Sequence, residues 1–174
     1  VGYIYVMQNK ANDATAQFKK ASKLASDNAI VQNGQGIAAR WNGDKAAAKE
    51  LYNGASSAGP EVGYNLGIVN IMDGDYSSAV SSFGSYKSFN VALAKILNGE
   101  ANAALEIIDA SDDKDAAMSY YLKAIVGARS KNKDLMINNL KTAVGKDASL
   151  KAKAKDDAEF IRYREDADFT GIVN

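Results

Sequence analysis

"GDKAAAKELYNGA" (43–55) and "GDYSSAVSSFGSY" (74–86) are one phrase written twice. Each opens Gly-Asp, places an alanine five residues after the glycine and an aromatic four residues further on: Ala48 then Tyr52, Ala79 then Phe83. A third version, "GEANAALEIIDAS" (99–111), carries Ala104 and Ile108 at those positions. Twelve residues upstream of the three alanines stand Gly36, Gly67 and Ala92, all small. The same skeleton fits the start of the chain through Gly2, Ala14, Phe18 and Ala21, and a later stretch through Ala124, Met136, Leu140 and Ala143. Five units therefore begin at 2, 36, 67, 92 and 124, in steps of 34, 31, 25 and 32 residues.

That grammar describes a helical hairpin. Small residues let two helices approach closely, and the large apolar residue fills the space between one hairpin and the next. A lone hairpin cannot bury its apolar face, so hairpins stack. The expected fold is all-α. Asn42-Gly43-Asp44, Asp73-Gly74-Asp75 and Asn98-Gly99-Glu100 share one phase of three units. Glycine suits a left-handed helix end, and the acid after it favours the next helix start. "DGDY" (73–76) could also open a calcium loop, but Tyr, Ser, Ser, Ala and Val follow Asp75, and such a loop needs further oxygen ligands and a late glutamate. The turn is the preferred reading. The 25-residue step predicts a truncated helix in the fourth unit.

Composition narrows the function. The 174 residues hold 21 Lys+Arg and 21 Asp+Glu, which argues against a general nucleic-acid binder. There is no histidine and no cysteine, so the commonest general base, the commonest metal ligand and thiolate chemistry are missing. No metal and no cofactor is expected. No apolar run is long enough to span a bilayer, so no direct membrane insertion is expected. "GQGIAA" (34–39) matches a dinucleotide-loop pattern, yet no strand precedes it and Gly36 already belongs to the repeat phase. The acidic runs "SDDKD" (111–115) and "KDDAE" (155–159) read as helix caps. "KDASLKAKAKDD" (146–157) reads as a solvated helix face, with a weakly basic contact patch as its alternative.

The units resemble the tetratricopeptide repeat (TPR) family. The second carries Gly36, Ala48, Tyr52, Ala55 and the only proline, Pro60, in the family's order; the third carries Asn65-Leu66-Gly67 and Gly74-Asp75-Tyr76. The tail phrases "DDAEF" (156–160) and "DADF" (166–169) resemble the acid-Phe closures of many such proteins. The resemblance implies one TPR-like domain over 1–174, a right-handed α-solenoid of about five hairpins. Its units would run roughly 1–27, 28–59, 60–88, 89–113 and 114–148, with a capping segment at 149–174. The apolar opening "VGYIYVMQ" suggests that further protein precedes Val1 or that a partner covers it. The wording of 119–160 resembles envelope-associated TPR proteins of Bacteroidetes-type bacteria, which would place the chain in the periplasm or at the outer membrane.

In this family the first helices of the hairpins line a concave groove. Carried over to this chain, the groove positions include Tyr3, Asn33, Ile37, Arg40, Trp41, Tyr64, Ile68, Met72, Tyr121 and Arg129. Arg40 and Arg129 would be its charges. Such a groove suits an apolar or helical segment of another protein, since Trp, Tyr and Arg serve as interface anchors. The competing reading is that many of these periodic residues are core. The expected function is a non-enzymatic interaction scaffold. The alternative is a structural spacer in a larger envelope protein.

Overall fold

A computed structural model describes all residues, 1–174. The chain is all-α, with twelve α-helices, one 3-10 helix and no strand. It falls into two compact units, Val1–Ser85 and Tyr86–Asn174. The N-terminal unit holds α1 (Gly2–Met7), α2 (Ala11–Ser22), α3 (Ala29–Trp41), α4 (Lys45–Gly54), α5 (Pro60–Met72) and α6 (Tyr76–Phe83). The C-terminal unit holds α7 (Phe89–Leu97), α8 (Ala101–Asp109), α9 (Ala117–Arg129), α10 (Lys133–Lys146), α11 (Leu150–Asp156), the 3-10 helix η1 (Ala158–Tyr163) and α12 (Ala167–Val173). Within each unit the helices pack against their neighbours in chain order. No helix is long and apolar enough to cross a membrane.

Five turns share one construction. Seven positions after each unit's small residue, φ is positive: Asn9 (55°), Gly43 (81°), Gly74 (79°), Gly99 (85°) and Lys131 (58°). The next N–H then reaches back to the closing turn of the preceding helix. Lys10 donates to the Tyr5 carbonyl (2.9 Å), Asp44 to Ala39 (3.0 Å), Asp75 to Asn70 (3.0 Å), Glu100 to Lys95 (2.8 Å) and Asn132 to Gly127 (2.8 Å). This is the left-handed C-terminal cap that glycine or asparagine normally supplies. The following helix is capped at once in three of the five. Asp44 accepts from Ala47 N (3.0 Å), Asp75 from Ser78 N (3.1 Å) and Asn132 from Leu135 N (3.0 Å). Glu100 caps nothing; its carboxylate is taken by Lys95 Nζ (2.8 Å) and Asn98 Nδ2 (2.6 Å). In "DGDY", Asp73 binds Lys45 and Lys49 Nζ, each at 2.7 Å, so both its acids are committed to the fold.

The close approach of helices is visible at the glycines. A Cβ on Gly36 would sit 2.5 Å from the Tyr52 ring, and one on Gly67 would sit 2.7 Å from Phe83. Phe18 does double duty. It lies over Gly2 within its own hairpin and over Gly34 at the start of the next. Gly34 and Gly36 are thus mid-helix contact residues of α3, and "GQGIAA" contains no loop. Ala14, Ala48, Ala79 and Ala104 are completely buried. The fifth unit has Met136 where the others have alanine, and it fits because α9 presents Gly127 to the Met136 backbone. The short step appears as α7, nine residues long against thirteen in α3, α5 and α9.

The C-terminal segment closes its own unit. Asp157 caps η1 through Glu159 N (3.0 Å), and Asp166 caps α12 through Asp168 N (3.0 Å) and Phe169 N (3.3 Å). These caps aim Phe160 and Phe169 inward, where both are fully buried with ring centres 5.7 Å apart. The acids direct the chain, and the rings supply the burial, about 1.5–3 kcal/mol for each side chain.

Candidate interaction face

The groove positions named from the sequence lie on α1, α3, α5 and α9, and the two units treat them differently. In the N-terminal unit they form a face of graded exposure. Asn33 and Ile37 are buried at its base. Tyr3, Arg40, Trp41, Tyr64 and Ile68 are partly exposed, and Met72 is 48% exposed. Tyr3 packs edge-on against Phe18 and Tyr64 against Phe83, with ring centres 5.1 and 5.2 Å apart. Both tyrosines on the face are therefore braced by a repeat aromatic beneath them.

A polar relay crosses this base. Asn65 Nδ2 donates to Asn33 Oδ1 (3.1 Å), Asn33 bonds the Tyr3 hydroxyl, and Tyr3 donates to the Ile30 carbonyl (2.7 Å). Burial, opposed by the Asn33 bond, pushes the Tyr3 hydroxyl above its ordinary range. The relay joins α1, α3 and α5 and leaves the buried amide of Asn33 satisfied, as a buried polar group requires. Asn65 was not among the sequence candidates. It lies one residue beyond Tyr64 and was legible there only as consensus wording.

Arg40 and Tyr52 are the exception. The Arg40 Nε and the Tyr52 hydroxyl are buried, and neither has a well-aligned hydrogen bond. Arg40 forms no ion pair. Burial pushes the Tyr52 hydroxyl up to about 12, against the pull of the Arg40 charge and of a loose side-chain bond with Arg40.

In the C-terminal unit the equivalent positions are closed by the chain itself. Tyr121, expected on an open groove, is fully buried. Its hydroxyl donates to Asp157 Oδ2 (2.9 Å), and its ring stands edge-on to Phe160, with centres 5.7 Å apart. Burial, reinforced by Asp157, raises its pKa far above the ordinary tyrosine range. Arg129, expected as a groove charge, grips Glu159 with both arms: Nε to Oε2 at 2.7 Å and Nη2 to Oε1 at 2.5 Å. Its Nη1 donates to the Ile96 carbonyl at the end of α7. These two residues meet an internal ligand because the cover comes from residues about thirty positions downstream, beyond the reach of local spacing.

No family model matches this chain, and no curated protein matches it. Its own geometry is what bears on function. No three acidic side chains converge as a metal-holding group. A second apolar feature, a cleft of about 390 Å³ between α1, α2 and the start of α3, is lined by Val1, Phe18, Leu24 and Ile30 among others. Leu24 is 90% exposed there and was not singled out in the sequence.

The two buried tyrosines make a paired prediction. Tyr121→Phe removes a donor from a carboxylate and is expected to cost about 1–2 kcal/mol, whereas Tyr52→Phe removes a buried, poorly bonded hydroxyl and is expected to be neutral or stabilising by up to about 1 kcal/mol. Urea unfolding followed by circular dichroism checks both.

Proposed function

We propose that this protein is a TPR-like, right-handed α-solenoid that acts as a non-enzymatic interaction module. Its N-terminal unit binds a segment of another protein along the face of α1, α3 and α5. The observation that carries the reading is the contrast between the units. Equivalent positions on α9 are covered by residues 157–160, while Tyr64, Ile68 and Met72 on α5 keep partial exposure on an apolar face. Exposed apolar surface of this kind marks interaction sites.

The acids with shifted pKa values serve the fold as caps and ion pairs. Asp73, Asp75, Glu100, Asp147 and Asp166 all have lowered pKa values, held down chiefly by Lys45, Ser78, Lys95, Ser149 and Lys133 respectively. A general acid needs the opposite shift. The spacer reading draws on a different observation: Asn33 and Ile37 are buried, so part of the named face is core.

Met72→Glu places a charge on the face at an exposed position, and Ser81→Glu places one on α6. In a cross-linking pull-down from native cells, a discrete protein captured by wild type and Ser81→Glu but lost with Met72→Glu is the expected result. Identical recovery by all three favours the spacer.

A further inference from the structure

We propose that the cleft between α1, α2 and the start of α3 takes a helical segment of another protein, about two turns long, which lies in line with α1 and presents a small residue to Ala21. Of the residues named on the α1–α3–α5 face, only Tyr3 also lines this cleft.

The chain carries its own pattern for the occupant. The first helices of all five hairpins end five residues after the unit's small residue, at Met7, Trp41, Met72, Leu97 and Arg129. In α3, α5 and α9 that small residue is the eighth of thirteen, whereas in α1 Gly2 is the first of six. The difference is roughly two turns, or about 10 Å of helix. Those two turns cover the end of the second helix where they are present. Ala29 of α3 packs against the cluster that holds Ala55, and Ala117 of α9 against the cluster that holds Ala143. Ala55 and Ala143 are completely buried. Ala21 holds the same place in the first hairpin and is only partly buried. Ala58 packs on the Ala55 cluster, while its counterpart Leu24 is exposed. The cleft of about 390 Å³ opens at this spot, and Val1, Leu24 and Ile30 on its walls are all exposed. Apolar side chains gathered around a concavity mark a docking site.

The complete hairpins also indicate what the segment looks like. Four residues after Ala29 and Ala117 come Asn33 and Tyr121, both buried. The occupant therefore carries alanine or glycine, with an amide or aromatic residue four positions on, the spacing that shares one helix face. In a second copy of this chain those faces of α3 and α9 are already packed within their own hairpins, so the segment comes from a different protein.

The test places a photoreactive phenylalanine at Leu24 of the full chain in native cells, and it measures binding of a helix-stapled peptide copying residues 26–35, the stretch before Gly36. The expected adduct joins position 24 to one other protein, in a segment with the alanine-or-glycine pattern. The peptide is expected to bind wild type and Met7→Glu equally and Leu24→Glu about tenfold more weakly, because a charge would enter an apolar contact. Leu24 and Met7 are both exposed, and circular dichroism checks that each variant is folded. A crosslink confined to the same chain, an adduct to a second copy, or a crosslinked segment without the pattern overturns the assigned occupant. No adduct, no peptide binding, or binding indifferent to Leu24→Glu overturns the cleft as a docking site. Each of these failures is distinct from failure of the α5 face, which is read from Met72→Glu.

Discussion

Phe160→Ala should cost the C-terminal unit about 3–5 kcal/mol, the range for emptying a fully buried phenylalanine site. Phe160 is completely buried, touching the rings of Tyr121 and Phe169. It is also the point at which the covering segment holds to α9. Its loss loosens the positions of Asp157 and Glu159, so the Tyr121 and Arg129 bonds weaken together. Against a typical domain stability of about 5–15 kcal/mol, this is enough to leave the unit partly unfolded in mild denaturant. The only tryptophan, Trp41, lies in the N-terminal unit. A circular dichroism transition that moves to lower urea while Trp41 fluorescence keeps its midpoint is the expected pattern. An unchanged dichroism transition would show that the segment is not held by this ring.

Gly36→Val should destabilise by about 2–3 kcal/mol, at the upper part of the overpacking range. Glycine inside a helix is ordinarily a weakness worth about 1 kcal/mol relative to alanine, so replacing it usually helps. At Gly36 the added atom meets a ring wall, with Tyr52 Cε1 at 2.5 Å and Cδ1 at 2.7 Å. A buried ring cannot yield as a flexible chain end does, so α3 and α4 must separate. Gly145 in α10 is the control. Nothing lies within 4 Å of a Cβ placed there, and Gly145→Ala is expected to stabilise by about 0.5–1 kcal/mol. Opposite signs at two helical glycines, read from urea midpoints, test the close-packed hairpin directly. A stabilising effect at both would show that the small residues carry no packing role.

The hairpins were legible because their causes are local. Gly43, Gly74 and Gly99 mark three turns outright, and the small-to-aromatic spacing marks which residues meet. The first and last turns were harder to see. Asn9 and Lys131 adopt the same positive φ without glycine, and for Lys131 no sequence rule would have suggested it. Met136 stands in an alanine position, and the room for it comes from Gly127 opposite on α9, a contact that spacing does not reveal. The candidate face was less legible than the fold. Helical phase identified the positions on α9, but whether they stay open depends on where residues 157–160 return, a matter of tertiary packing. Tyr121 and Arg129 are occupied for that reason. In the N-terminal unit Trp41, not Arg40, holds the place of Arg129, and Arg40 matches the buried Ala128, so helical phase alone did not pair the two arginines.

The most direct measurement is site-specific photo-crosslinking in native cells. A photoreactive phenylalanine replaces Met72 on the proposed face of the N-terminal unit or Ile161 on the covering segment of the C-terminal unit, both exposed positions. The expected result is a discrete adduct to one other protein from position 72 and none from position 161. Adducts of equal yield from both positions, or none from position 72, would contradict an open binding face on α5.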